Sequence, residues 1–190
     1  MSSGSDWQSP LPENYRHITT HDKHGKSVYS NEVECPLNLF TVDVGDGRKA
    51  GFELAYTTRG FPVPLANDQD LQTYKEAYAT KKEDGLVRKG GTILRYVDIP
   101  PGQGSPMHRT VSLDYGIVVA GEVECILDSG QIRTMRAGDV MVQRGTNHEW
   151  LNRGTEWARI VFILIESTPV VVDGKELVEN VGGMDLAESH

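Results

Sequence analysis

Cysteine is scarce in this chain of 190 residues: Cys35 and Cys125 are the only two. A lone distant pair makes neither a disulfide framework nor a zinc knuckle. Long apolar runs are missing too. No stretch of 18 or more apolar residues exists, which excludes a spanning helix. The longest run, Ala158 to Ile165, is broken by Arg159 and has strand length. Basic residues are outnumbered, with 19 Lys and Arg against 27 Asp and Glu, so the net charge is −8. A nucleic-acid binder needs a basic face to displace counterions from phosphates, so no nucleic-acid partner is expected. An anionic membrane surface is excluded on the same ground. The opening Met-Ser-Ser-Gly-Ser-Asp has neither the basic nor the apolar region of a secretion signal. The expectation is a cytoplasmic protein with reduced thiols. There is no glycine-rich phosphate loop opening a helix, no nucleophile elbow, and no spacing that singles out a glycosidase carboxylate pair.

What is present reads as one globular domain. Apolar residues make up 38% of the chain, and 20 glycines punctuate it. That apolar content excludes wholesale disorder. Residues 1–14 read as a flexible segment, 15–90 as strands and one helix covering a barrel, 91–178 as the barrel, and 179–190 as a fraying tail. Asn38 to Val44 and Ala50 to Thr57 flank Gly45-Asp46-Gly47 as a hairpin. Phe52, Leu54 and Tyr56 alternate with Glu53 and Ala55, predicting one buried face. The predicted helix starts at a cap on Asn67 or Asp68 and ends at Gly85. Leu71, Tyr74 and Tyr78 share one of its faces. From Gly91 onward, short strands alternate with Gly-rich turns, the signature of a barrel or sandwich. Ala158 to Ile165 is apolar on both faces, so a second sheet or a second subunit should cover it. A homodimer is expected, because it would also remove strand edges from solvent.

One constellation carries chemistry. Gly102, His108, Asp114 and Gly121 fit the pattern G-x5-H-x-H-x3-E-x6-G, with Thr110 in place of the second His and Asp114 in place of Glu. Gly145, His148 and Asn152 fit the latter half of G-x5-P-x-G-x2-H-x3-N; its first half is one residue short, and Gln143-Arg144 stand near the expected Pro. Through these two motifs the chain resembles the cupin superfamily over about Gly91 to Ile165. The wording around them is similar to small single-domain cupins, some of which are accessory enzymes of natural-product pathways. The resemblance implies an all-β fold, a double-stranded β-helix or jelly-roll barrel, with added N-terminal strands and one helix.

In a strand, residues i and i+2 point to the same face, so His108 and Thr110 share one if that segment is extended. His148 comes from another strand. Two imidazoles and the Asp114 carboxylate would form a 2-His-1-carboxylate site for one divalent ion, Zn(II), Fe(II) or Mn(II). A metal-free lumen is the other open reading, because neutral imidazoles move protons near working pH. In that reading His108 and His148 are acid and base, and Asp114 orients one of them. Thr110, Arg144, Trp150 and Arg95 are the candidate substrate-binding residues. Tyr115 reads as packing, and His21 and His24 as a solvated turn. The leading expectation is a lyase or isomerase-type enzyme acting by proton transfer on a small oxygen-rich acid or polyketide-like metabolite. The chemistry would be dehydration, decarboxylation, isomerisation or cyclisation. A non-catalytic small-molecule-binding cupin and a metal-dependent dioxygenase are the alternatives.

Overall fold

Alternating burial sets the strands of the C-terminal half. In β5 (Gly91–Ile99), Ile93, Arg95, Val97 and Ile99 turn inward, while Leu94 and Tyr96 turn outward and stay partly exposed. The same two-residue period runs through β6 (Ser112–Ala120), β7 (Glu122–Leu127) and β10 (His148–Leu151). Strands β8 (Ile132–Arg136), β9 (Val140–Arg144) and β11 (Ala158–Glu166) complete the run. The structure is a computed structural model that describes residues 8–45, 47–81, 85–184 and 189. Asp46 of the expected Gly-Asp-Gly turn lies outside the described residues.

The N-terminal half contributes β1 (Thr19–His21), β2 (Ser27–Tyr29), β3 (Phe40–Asp43), β4 (Lys49–Arg59) and α1 (Gln69–Ala79). Six strands form one antiparallel sheet in the order β3-β4-β5-β11-β6-β9, and three form a second in the order β10-β7-β8. Their apolar inner faces meet in a single core as a double-stranded β-helix. The N-terminal segment is therefore more than a cover, because β3 and β4 extend the large sheet beside β5. Two short strands not anticipated from the sequence, β12 (Val170–Val172) and β13 (Lys175–Leu177), pair as a separate hairpin.

Strand β4 departs from simple alternation. Phe52, Glu53, Leu54 and Ala55 are all buried: Glu53 is covered on the outer face, where it meets Lys81, and Ala55 sits at a register shift between Leu54 and Tyr56 that breaks the period. Past the bulge, Tyr56 turns to the outer face, where its ring lies 4.5 Å from Tyr74 of α1 and its hydroxyl donates to Asp70 at 2.6 Å. The helix buries Leu71 and Tyr74 as its periodicity predicts. It ends at Ala79, well before Gly85. Asp68 stands at the N-cap position as expected, but its side chain makes no capping bond: Asn67 and Asp68 both have positive φ, and the Asp68 carboxylate accepts from the Thr20 hydroxyl instead.

The expectation of a fraying tail is corrected as far as Met184. Asn180 makes an antiparallel backbone pair with Arg109, at 2.8 and 2.9 Å, and Met184 is buried. Gly182 permits this docking. Its φ is +65°, and a Cβ there would stand 2.5 Å from the Met107 carbonyl. Both cysteines are free. No helix among the described residues is long and apolar enough to cross a membrane.

Arg159, the charge that interrupts the apolar run, faces outward from β11 opposite Asp98 of β5. Its Nε and Nη2 donate to the two Asp98 carboxylate oxygens at 2.5 and 2.7 Å, and its Nη1 donates to the Pro12 carbonyl at 2.7 Å. Both residues are buried, and the contact ties the N-terminal segment at Pro12 across the sheet. Replacing Asp98 by Ala leaves a buried guanidinium without its counter-charge. The expected loss is roughly 3–5 kcal/mol of unfolding free energy. Urea denaturation checks it, and a loss below about 1 kcal/mol would contradict the assigned role.

Candidate active site in the barrel lumen

Between the two sheets lies a cavity of about 620 Å³, counting its open mouth. Most of its wall is apolar, from Phe52, Val97, Ile99, Phe162 and Leu164. Polar groups gather at one part of the lining: His108, Thr110, Asp114, Gln143 and His148. Trp150 and Arg95 also line it. Met184 of the docked C-terminal segment joins Leu86 and Val44 in the same lining.

The two imidazoles are brought together by backbone pairing. His108 and His148 form an antiparallel bridge, N–H to carbonyl in both directions at 2.8 and 2.9 Å. Their ring centroids are 4.3 Å apart. Each Nδ1 lies 2.9 Å from the carbonyl two residues earlier, Pro106 for His108 and Thr146 for His148. A carbonyl only accepts, so each Nδ1 carries the proton and each Nε2 carries the lone pair. Burial pushes the His108 pKa down. Burial and then the neighbouring His108 ring push His148 down to about 3. Both rings are therefore neutral at pH 7.

Asp114 does not orient a histidine. It sits mid-strand on β6, where Ser112 Oγ donates to Oδ1 at 2.5 Å and Thr110 Oγ1 donates to Oδ2 at 3.2 Å. Burial raises its pKa to about 6, against the lowering effect of those two hydroxyls. Ser112 Oγ also lies 2.8 Å from Thr110 Oγ1. With the acid protonated, the contacts close into a ring: Asp114 donates to Ser112, Ser112 to Thr110, and Thr110 back to Asp114. The replacement of a second His by Thr110 thus yields a hydroxyl relay that accommodates a carboxylic proton.

These residues do not fit a three-ligand metal centre. Among the described residues, no group of three or more His, Cys, Asp or Glu side chains is gathered to hold an ion. His108 and His148 present two lone pairs, but the expected third ligand, Asp114, has both oxygens engaged by hydroxyls.

The structure gathers His108, His148, Asp114, Thr110, Trp150 and Arg95 around one cavity. Arg144 does not join them. It is exposed on the outer face of β9, and Gln143 faces the lumen opposite Asp114. Alternation allows only one of two adjacent residues inside, and the missing residue in the second motif hides which one. Gln143 and Ser112 were not anticipated from the sequence; their parity with the buried positions of β9 and β6 is the signal that would have found them. Arg95 Nη2 donates to the Gly85 carbonyl at 2.9 Å, and its guanidinium lies 5.3 Å from the centre of the Phe52 ring. Trp150 packs edge-on against Phe162, with centroids 5.5 Å apart. Gly116 makes room for that packing, since a Cβ there would stand 2.9 Å from Phe162.

The lumen geometry and both motifs agree with comparison to known proteins. The cupin domain model (Cupin_2) matches residues 95–164. Phomopsin biosynthesis cluster protein D of Diaporthe leptostromiformis is 43% identical, over 97% of this chain and 96% of its own. Oryzines biosynthesis cluster protein J of Aspergillus oryzae is 39% identical, over 94% and 97%. The cupin-domain-containing oxidoreductase fogC of Aspergillus ruber is 39% identical, over 85% and 77%. The chain belongs to the cupin family.

The opposed shifts give a pH signature. Asp114 binds its proton more tightly when folded, so its contribution to stability is full below its ordinary value of 3.8 and is lost as pH rises through about 6. His148 behaves oppositely: its contribution is full above 6.5 and is lost as pH falls toward about 3. Replacing Asp114 by Asn removes only the first effect. The variant's melting temperature relative to the parent chain should therefore rise by a few degrees from pH 5 to pH 8, since about 1 kcal/mol moves a domain of this size by roughly 2–4 °C. Scanning calorimetry at the two pH values measures it. An unchanged difference would mean that Asp114 is ionised throughout.

Proposed function

We propose that this protein is an accessory enzyme of a small-molecule biosynthetic pathway that works by proton transfer inside the barrel. The observation that carries the reading is two neutral imidazoles and a carboxyl with its pKa pushed the other way, all lining one largely apolar cavity. Groups whose environments push their pKa values apart mark the base and the acid of a site. The names of the phomopsin and oryzines relatives support a biosynthetic setting. The substrate class is a small oxygen-rich acid or polyketide-like metabolite.

In this reading His108 is the base. Its Nε2 lone pair takes a proton from a C–H or O–H bond of the substrate, with His148 beside it as partner. Asp114, protonated, gives its proton to the oxygen that gains charge or leaves. Removal of the proton forms a double bond, the C–O bond breaks, and water departs with the proton from Asp114. Dehydration is the simplest such reaction; isomerisation, decarboxylation and cyclisation use the same two groups. Arg95 and Trp150 face substrate oxygens along the wall, and the hydroxyl of Thr110 acts through Asp114. The name of the fogC relative, a cupin-domain-containing oxidoreductase, favours a second reading, oxidation; if a divalent ion served it, this lumen would offer His108 and His148 and, among the described residues, no third imidazole.

His108→Ala should lower kcat by about 10²–10⁴-fold. The rate should be highest below about pH 6 and fall as pH rises, because Asp114 loses its proton there. Asp114→Asn should slow turnover and abolish that alkaline limb, with metal content unchanged. Metal lost in parallel with activity, and restored with it by excess divalent ion, would favour the oxidative reading. Saturable ligand binding without turnover would make the protein a binding module.

The assembly is a homodimer in the same proposal. The outer face of the large sheet carries an apolar patch: Val142, Tyr115, Ile163 and Leu94 lie in one cross-strand row. Val140, Ile117, Val161 and Tyr96 form the next. Val140 and Val142 are exposed on the edge strand. A second copy on this face would cover both rows. Light scattering should give twice the 21.0 kDa chain mass, and Val142→Lys should shift it toward one. A parent chain that scatters as a monomer at micromolar concentration would contradict the dimer.

A further inference from the structure

Two polar atoms in the lumen wall are buried and meet no hydrogen-bonding partner among the described residues: Gln143 Oε1 and Trp150 Nε1. Both residues are only 3% exposed, and both line the cavity. One is an acceptor and the other a donor. A buried polar group without a partner is costly, so a matched donor and acceptor on two residues that line the cavity point to a ligand that satisfies both.

The two atoms belong to one level of the barrel. Trp150 of β10 is the cross-strand neighbour of Cys125 on β7. The Gln143 amide reaches that cysteine from the opposite sheet, with Nε2 donating to Sγ at 3.7 Å. This contact turns the amide nitrogen toward sulfur and leaves the carbonyl oxygen without a partner among the described residues. The indole is fixed between the edge-on rings of His148 and Phe162.

We propose that Gln143 and Trp150 are specificity-determining residues that select an uncharged ligand carrying a donor and an acceptor on one edge of an apolar body. A lactam-like N–H and C=O edge has this chemistry: its N–H donates to Gln143 Oε1, and its carbonyl accepts from the Trp150 indole N–H. The apolar wall formed by Phe52, Val97 and Phe162 takes the body of the molecule. An isostere lacking either polar group leaves a buried protein atom unpaired, which is the strongest basis for rejection in an enclosed site. The inference deepens the proposed function: it rests on its premise that the lumen is the substrate site, and it narrows the substrate class to uncharged, polyketide-like molecules rather than acids.

Calorimetric titration with 2-quinolone as the probe tests it. 2-Quinolone is planar and neutral and has the donor–acceptor edge. N-methyl-2-quinolone lacks the donor alone, and quinoline lacks both the donor and the carbonyl, keeping only a ring-nitrogen acceptor. The intact protein should bind 2-quinolone at least about tenfold more tightly than either analogue. In Gln143→Leu the preference over the N-methyl compound should vanish, and in Trp150→Phe the preference over quinoline should shrink. The analogue series on the parent chain keeps the test decisive if either variant fails to fold. Equal affinity for all three compounds, or no saturable binding of 2-quinolone up to millimolar concentration, overturns the assignment. His108→Ala should keep the same order of affinities. Loss of its turnover with the order intact supports both readings. An intact order in a His108→Ala protein that still turns over sinks the proton-transfer mechanism alone.

Discussion

The antiparallel bridge between the backbones of His108 and His148 is the contact on which the lumen depends. It is one step in a longer zipper. Gly102 N–H donates to the Asn152 carbonyl, Asn152 N–H to Gln103, and Ser105 N–H to Trp150, at 2.8 to 2.9 Å. The segment after β5 has the Pro100-Pro101 pair at its start and is not itself a regular strand, yet it lies along β10 as one. Backbone pairing of this kind fixes side chains to a face without side-chain contacts. It sets both imidazoles side by side and leaves each Nδ1 the nearest carbonyl on its own chain. Tautomer, ring direction and the free Nε2 lone pair all follow from where the backbone runs.

Burial then decides the charge state of everything the zipper gathers. The fold handles buried ionisable groups in two ways. On the outer face of the large sheet it pairs them: Asp98 with Arg159, and Glu53 with Lys81, each bridge joining a fully buried carboxylate to a cation. At the polar part of the lumen, water is displaced and the groups shift toward their neutral forms, the histidines downward in pKa and Asp114 upward. Paired charges tie neighbouring segments together and are poor proton carriers. Neutral groups held close to a change of state are suited to receive or release a proton when a substrate changes the local charge.

Much of this was legible in the sequence. Two-residue periodicity located the strands from Gly91 onward, and motif spacing selected His108, Asp114 and His148 without any view of the barrel. The failures have local physical causes. The bulge after Leu54 reverses parity in β4, and no residue type announces it. Gln143 and Arg144 are adjacent, so only register with β6 tells which faces inward. The role of Asp114 depended on Ser112, a residue with no place in the motif. The docked C-terminal segment was taken for a fraying tail, because its anchor is a backbone pair with Arg109 and its glycines resemble linker composition.

The two departures from the family pattern are best understood together. A carboxylate one methylene shorter than Glu stays closer to its own strand, within reach of Ser112 and Thr110 on the same face. A second imidazole at position 110 would bring another ring in place of the hydroxyl that donates to Asp114 Oδ2. Thr110 supplies a hydroxyl that both donates and accepts, and such a group is what a carboxyl needs if it is to exist with and without its proton in one place. In the proposed mechanism the polar part of the lumen is thus divided into two neutral imidazoles that accept protons and one hydroxyl-supported acid that gives them. The Gln143 carbonyl and Trp150 indole, unpaired among the described residues, would orient the substrate without adding charge. A site assembled in this way directs binding through shape and neutral hydrogen bonds, and it keeps its ionisable groups for chemistry.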